Sequence, residues 1–575
     1  MFAGPILHRE ALTLPRQVRH YLLRSGYLLA LFVLMYTAGQ TTFFRQSVST
    51  IGEIARFGSL IFALFAVTQL ALVLFFAPLL AASRIAQEKD RQTLILLLMT
   101  DLRDREMVLG RLLASLLSVA VLIGLSAPVL TLVMLLGGVS IQQVGWLLAL
   151  TLAAGLAAGS WGTLVAFWRE KTFQTLAISV IGIMLFIGLI ELLAALSPPA
   201  IGSAFTYGNP FRGLALVLDP MGMQPHLANG SVGAGAYVVT LLVLAAVLDL
   251  IATVRLRVWN PPRIAYDSAT LNPDKSSAPS RIRTIWNTPV IWREICTRAY
   301  GRKMVLIKLA YLVLFGIAMG YVWQTQQLET SDVMGLVRPE GAAFIVLGFL
   351  SLLLVNAQAV TALTTEKDAK TLELLLVTDI SAQEFILGKL GGIFYNTKEV
   401  LILPLLALGW YVSQGVLTLE DGIYVLIGFL VLVAFAAMLG VHAGIAFDSS
   451  RLAIANSLGT MFFLFLGIFI CMLLIMEART SFAMQLPSFL VFILGGSIGL
   501  WASLTHKNPS PALALAAFLL PFLTFYSIVS FLLGSTLGIC VVMTLTYGFT
   551  TLAMLIPAIS EFDIALGRSS ADASG

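Results

Sequence analysis

Charge is what this chain has least of: 11% of its 575 residues are charged and 58% are hydrophobic, against about 25% charged in a typical soluble domain. A water-soluble fold of this size could not hide so much apolar surface. Cysteine is nearly absent as well. Cys296, Cys471 and Cys540 have no short spacing between them, which excludes a disulfide framework and a cysteine-based zinc site. The five histidines (His8, His20, His226, His442, His506) lack metal-ligand spacing. No G-x-x-x-x-G-K-[ST] segment occurs, and Gly388-Lys389 lacks the upstream glycine of a phosphate loop, so the chain cannot hold ATP in that manner. An Asp-rich cluster, a His-Glu metal pair and a nucleophile motif are all missing, which leaves a membrane-embedded enzyme without support. The first 25 residues carry Arg9, Arg16, Arg19 and Arg24 with no early apolar core, so no cleavable signal peptide is expected.

What the chain has instead is long apolar runs, several exceeding the roughly 20 residues that cross a bilayer. They predict an all-α polytopic integral membrane protein with about 12–14 transmembrane helices. Spans are read near 26–44, 57–82, 112–137, 144–168, 172–197 and 232–254, then near 303–323, 341–365, 391–416, 422–447, 452–476, 482–504, 511–533 and 535–558. With the N-terminus inside, 28 of the 35 basic residues fall in cytoplasmic segments and five in external ones. That bias predicts a multi-pass protein of the cell membrane with both termini cytoplasmic. It also makes the net charge of +5 a property of the loops rather than a sign of nucleic-acid binding.

One charged stretch occurs twice. Residues 88–112 read EKDRQTLILLLMTDLRDREMVLGRL and residues 366–390 read EKDAKTLELLLVTDISAQEFILGKL, identical at 14 of 25 aligned positions at an offset of 278. The shared residues include Glu88/Glu366, Lys89/Lys367, Asp90/Asp368, Thr93/Thr371, Asp101/Asp379, Glu106/Glu384 and Gly110/Gly388. The repeat divides the chain into a first half (1–258, carrying segment 84–111), a Pro/Ser-rich charged linker (259–285) and a second half (286–575, carrying segment 366–390). A weaker repeat supports the division. Pro5-Ile6-Leu7-His8-Arg9-Glu10 matches Pro289-Val290-Ile291-Trp292-Arg293-Glu294 just before each half's first span, and its mixture of apolar and basic residues suggests an interfacial helix.

In the second copy, Leu372, Leu375 and Leu376 form one helical stripe from Glu366 to Val377, and Glu366, Lys370 and Glu373 another. Thr378-Asp379 interrupts the helix, and Ser381 with Glu384 has the spacing of a capping box that starts the next. The expected object is a bent amphipathic hairpin on the cytoplasmic face, showing its carboxylates and lysines to water and suited to a soluble partner. The first copy has Ile95 opposite Glu373 and Arg103 opposite Ser381, which makes the second the stronger expected handle.

The pattern E-K-D-x-x-T-L-E-x-L-L-x-T-D-x-S-x-x-E-x-x-L-G-K in 366–389 resembles the signature of ABC exporter permeases of the type-2 class. The resemblance implies two half-permeases of six spans each, fused in tandem as a parallel repeat. In each, the loop after the second span would couple to a separate cytoplasmic ABC ATPase. The coupling residues would be Glu88, Lys89, Asp90, Thr93, Asp101, Glu106 and Gly110 with Glu366, Lys367, Asp368, Thr371, Glu373, Asp379, Glu384 and Gly388. ATP and Mg would be bound by that partner, expected in two copies, and no cofactor by this chain. The family usually has Pro where Asp101 and Asp379 stand, and the two additional spans in the second half depart from a six-plus-six plan.

Ionisable residues within spans are costly and often mark a transport path. Glu191, Asp249 and Lys308 lie near span ends and can snorkel, and His442 reads as a packed helix residue. Asn396, Lys398 and Glu399 form a polar patch whose first-half counterpart is almost wholly apolar, so they are the candidate path residues. An ion-coupled secondary transporter is the alternative, but such repeats usually meet near the bilayer midplane, whereas the strongest repeat here is amphipathic and at one face.

Overall fold

The computed structural model describes residues 4–13, 18–43, 50–219, 233–261, 286, 288–296, 304–327, 338–372, 380–478, 482–507, 510–532, 534 and 536–560. The protein is an all-α polytopic membrane protein, and thirteen described helices are long and apolar enough to cross a bilayer. A short helix α1 (Gly4–Thr13) precedes α2 (Val18–Phe43) and the long α3 (Ile51–Asp90). A single short turn of helix, α4 (Thr93–Leu98), leads into α5 (Asp104–Leu135), followed by α6 (Ile141–Trp168) and α7 (Thr172–Leu196). Two short helices, α8 (Pro199–Thr206) and α9 (Pro210–Leu218), come before α10 (Ala234–Trp259).

The order then begins again. Short α11 (Pro289–Cys296) precedes α12 (Met304–Gln327), α13 (Pro339–Asp368), α14 (Ala382–Ser413), α15 (Leu419–Ala446) and α16 (Ser450–Ala478). The chain closes with α17 (Phe482–Leu504), α18 (Pro511–Leu532) and α19 (Thr536–Ser560). Of the spans expected from sequence, the one at 391–416 lies in α14, which is absent from the thirteen because Asn396, Lys398 and Glu399 interrupt its apolar run.

Local chemistry sets the helix ends. Ser140 and Thr418 accept from the backbone N–H of Gln143 (3.3 Å) and Asp421 (3.1 Å), capping α6 and α15. Asn209 caps α9 by accepting from the Phe211 N–H at 2.9 Å, with Pro210 in the first helical position. Small residues set the closest approaches. A Cβ on Gly162 would lie 2.4 Å from the Pro78 carbonyl oxygen, and one on Gly440 would lie 2.7 Å from that of Asn356. Glycine thus lets α3 meet α6, and α13 meet α15, backbone to backbone.

Packing follows the same scheme in each set. α3 rests on α5, α6 and α7, as α13 rests on α14, α15 and α16. The last span of each set covers the fourth: α10 lies on α6, and α19 lies on α15. The two spans that looked surplus in sequence are therefore α17 and α18, inserted where the first set has only α8 and α9. The sets meet along two seams. On one, α7 packs on α12 and α13. On the other, α16 packs on α2 and α3, and the inserted α17 also packs on α2. Phe75 and Phe462 stack across the centre at 4.3 Å.

Candidate functional site

Both repeated stretches lie at one end of the bundle, at the tips of α3 and α13. The first three motif residues belong to the span helices themselves, because α3 runs to Asp90 and α13 to Asp368, past the ends expected from apolarity at 82 and 365. The helix expected to continue from 366 to 377 breaks early. Gln92 and Lys370 take left-handed backbone conformations, with φ of 61° and 54°. For residues with a Cβ that conformation costs about 1–2 kcal/mol. The next residue answers for it: the Thr93 and Thr371 hydroxyls donate to the Glu88 and Glu366 carbonyls, each at 3.3 Å. Those carbonyls would otherwise be orphaned at a helix end.

The charged triads are half-buried and face inward rather than toward water, which corrects the exposure expected of Glu366, whereas Lys370 is exposed as expected. Lys89 Nζ donates to the carbonyls of Phe167 (2.6 Å) and Arg169 (2.9 Å) at the end of α6. Lys367 Nζ donates to those of Ile445 (2.8 Å) and Phe447 (3.3 Å) at the end of α15. A cation at a helix C-terminus meets both the free carbonyls and the negative end of the helix dipole. Asp90 accepts from the Thr172 hydroxyl at the start of α7, and Asp368 from the Ser450 hydroxyl at the start of α16. An anion at a helix N-terminus is favourable for the converse reason. Glu88 pairs with Arg111 on α5. Glu366 pairs with Lys389 on α14 at 2.7 Å and with Arg293. Each triad therefore clasps the tip of one helix to three others, and every partner but Arg293 recurs at the offset of 278.

The remaining motif residues complete the clasp. The Arg103 N–H donates to Glu106 at 3.4 Å, and the Glu384 N–H donates to the Ser381 hydroxyl at 3.2 Å, so each copy makes half of a capping box at the start of α5 or α14. Gly110 is buried in α5, on which α1 packs. A Cβ on Gly388 would lie 2.8 Å from Val290, where α11 packs on α14. The weak repeat is thus helical in both copies. Its Glu294 is 2% exposed and bonds Lys389 at 2.7 Å. Burial alone would raise the Glu294 carboxyl, but Lys389 and Arg293 hold it below its ordinary value.

The copies also touch each other. Arg91 lies 3.1 Å from Asp368, bonding it from the first copy to the second, and this contact has no counterpart because Ala369 stands where a second arginine would be. What the first copy leaves exposed is the short helix α4 and the residues around it: Leu96 is 65% exposed, Met99 63%, and Asp101 is exposed, whereas Leu94 is buried. Thr93 and Thr371 are exposed at their turns. Glu373 and Asp379 lie outside the described residues.

The polar patch of α14 sits elsewhere. Glu399 pairs with Lys308 of α12 at 2.6 Å. Lys398 points outward over the Tyr395 ring at 4.2 Å, and Asn396 is half-buried beside it. None of the three lines a described cavity. His442 is buried, its Nε2 2.8 Å from the Leu504 carbonyl at the end of α17. Glu191, read from sequence as a span-end residue able to snorkel, is instead bonded by Arg212 (2.8 and 2.5 Å) and by Asn209 (2.7 Å) and faces a cavity. The bonds close over about 20 residues, but the cavity is made by a distant part of the chain.

Residues 41–323 match the model of a family described as ABC-2 family transporter protein. The match supports an ABC-2 type permease, and it includes the first motif copy but stops short of the second. No curated protein and no solved structure matches the chain.

Proposed function

We propose that this chain is the membrane permease of an ATP-driven ABC export system, built from two half-permeases in tandem and worked by separate cytoplasmic ATPase subunits, one beneath each repeated segment. The family likeness of 41–323 supports the permease reading. The observation that carries the tandem reading is the clasp made twice, with Lys89 and Lys367 each holding the carbonyls at the end of the fourth span of its set.

The clasp also suggests how work enters. The exposed tip around Leu96 and Met99 is the surface offered to the ATPase, and Glu88, Lys89 and Asp90 join that tip to α5, α6 and α7. A displacement of α4 would then move four helix ends together, because charged bonds at buried helix termini are costly to leave unmade. On this reading the docking contact is apolar and the recurring charges transmit the displacement. The ATP and Mg belong to the partner.

The test is a co-purification with the ATPase encoded beside the gene, followed by transport in reconstituted vesicles. Leu96→Asp/Met99→Asp is expected to lower ATPase retention and ATP-driven transport at least about tenfold, a loss equivalent to ~1.4 kcal/mol of docking energy. The thermal midpoint of the chain alone should stay unchanged, since both side chains are exposed. Full retention in that variant would sink the tip as the docking contact.

A further inference from the structure

The seam between α7 on one side and α12 and α13 on the other holds a cavity of about 840 Å³, within the range that takes a small organic ligand. It lies away from the clasps: Glu191 is about 28 Å along α7 from the clasped Thr172, at 1.5 Å per residue. Its walls are unlike each other. α12 and α13 present chiefly apolar residues, Leu314, Ile317, Val346 and Leu347, with Tyr321 and Gln324 beside them, and the first set presents Glu191 and Arg212 with Tyr207 and Tyr237. Across the opposite seam α2 packs on α16 and α17, and Leu31, Leu34 and Ala38 share one buried core with Ile470, Cys471 and Phe489.

An ion pair facing an apolar cavity is a poor way to gain stability, because apolar residues of similar size do as well or better. Its two charges do discriminate among ligands. An anionic head drawn to Arg212 would displace Glu191 and leave its carboxylate with the Asn209 amide alone, and a cationic head drawn to Glu191 would strand the guanidinium. A head carrying both signs meets both groups at once. We propose that this cavity binds a zwitterionic amphiphile, its head on the Glu191–Arg212 pair and its apolar body along α12 and α13, as the cargo class of the permease. The cargo assignment rests on the permease reading, whereas binding itself does not.

Binding is therefore measured on the full chain alone in nanodiscs, by photolabelling with amphiphiles of equal tail length bearing phosphocholine, phosphate or trimethylammonium heads. The phosphocholine probe is expected to label about tenfold better than either other probe, the discrimination of one unmet charged partner. Glu191→Gln should shift the preference toward the phosphate head and Arg212→Gln toward the trimethylammonium head, a reversal that a merely structural pair would not produce. Ala342→Trp, which fills the cavity from α13, should reduce labelling by all three without touching the pair. Loading the probe into the bilayer or adding it from solution separates a membrane lipid from a soluble amphiphile, and selective labelling by either route supports the site. Equal labelling by the three heads, or selectivity unchanged in both charge variants, would overturn the proposal. Intact selectivity without ATP-driven transport would leave the site standing and overturn the permease reading.

Discussion

The two clasps share their carbonyl and hydroxyl partners and differ in the partners of their glutamates. Lys89 and Lys367 reach equivalent carbonyls, and Asp90 and Asp368 reach equivalent hydroxyls. The glutamates differ. Glu88 has Arg111 and is 20% exposed, whereas Glu366 shares a buried network with Lys389, Glu294 and Arg293. The first copy thus holds its tip with a simple pair and the second with a network that also pins α11. Backbone carbonyls at a helix end are fixed by the fold and tolerate sequence drift around them, while paired side chains can be exchanged.

That comparison can be broken most decisively at Lys389. Lys389→Ala leaves Glu294 and Glu366 without their buried cation and is expected to cost on the order of 3–5 kcal/mol, seen as a large fall in the thermal midpoint of the detergent-purified chain. Arg111→Ala should cost less, because it strands one carboxylate rather than two; equal losses would mean that the two networks are not different in kind. Next in size, Gly440→Ala is expected to cost about 1–3 kcal/mol by overpacking. Its Cβ would lie 2.6 Å from that of Ala359, whereas Gly428→Ala, with open space around it, should be silent in the same melt.

Arg91→Ala tests the contact between the copies. Arg91 is half exposed, and the buried Asp368 keeps the Ser450 hydroxyl without it, so the loss should stay near about 1 kcal/mol, and a much larger one would make this bond a main tie between the two sets. The smallest effect concerns pH. The Glu294 carboxyl is held below its ordinary 4.5, so its stabilising share is complete above pH 4.5 and lost as pH falls through the lowered value. Melts from pH 5 to 8 should show no slope from this group, and Glu294→Gln should flatten part of the acid-side decline below 4.5.

The spans, the repeat and the weak Pro-x-x-x-Arg-Glu match were legible because apolarity and identity are properties of the sequence itself. What the repeated residues do was not. The bonds of Lys89 end on carbonyls 78 and 80 positions away, and a carbonyl belongs to every residue type, so nothing in the letters marks it. The break at Gln92 was hidden for a related reason: glycine usually announces a left-handed turn, and here a threonine one residue later supports it instead. The capping residue Ser381 could be read because a cap acts within one helical turn.

By itself the sequence determined that the chain lives in a bilayer, that its plan is stated twice, and that Glu-Lys-Asp recurs at one end of each statement. These follow from hydropathy and from identity at a fixed offset. Only the tertiary structure decided that the charged triads face inward, that α17 and α18 are the inserted pair, and that the seam of α7 with α12 and α13 keeps a cavity beside Glu191 and Arg212. Those outcomes depend on which helix ends meet and how closely helices approach, and such distances are set by contacts between residues far apart in the chain.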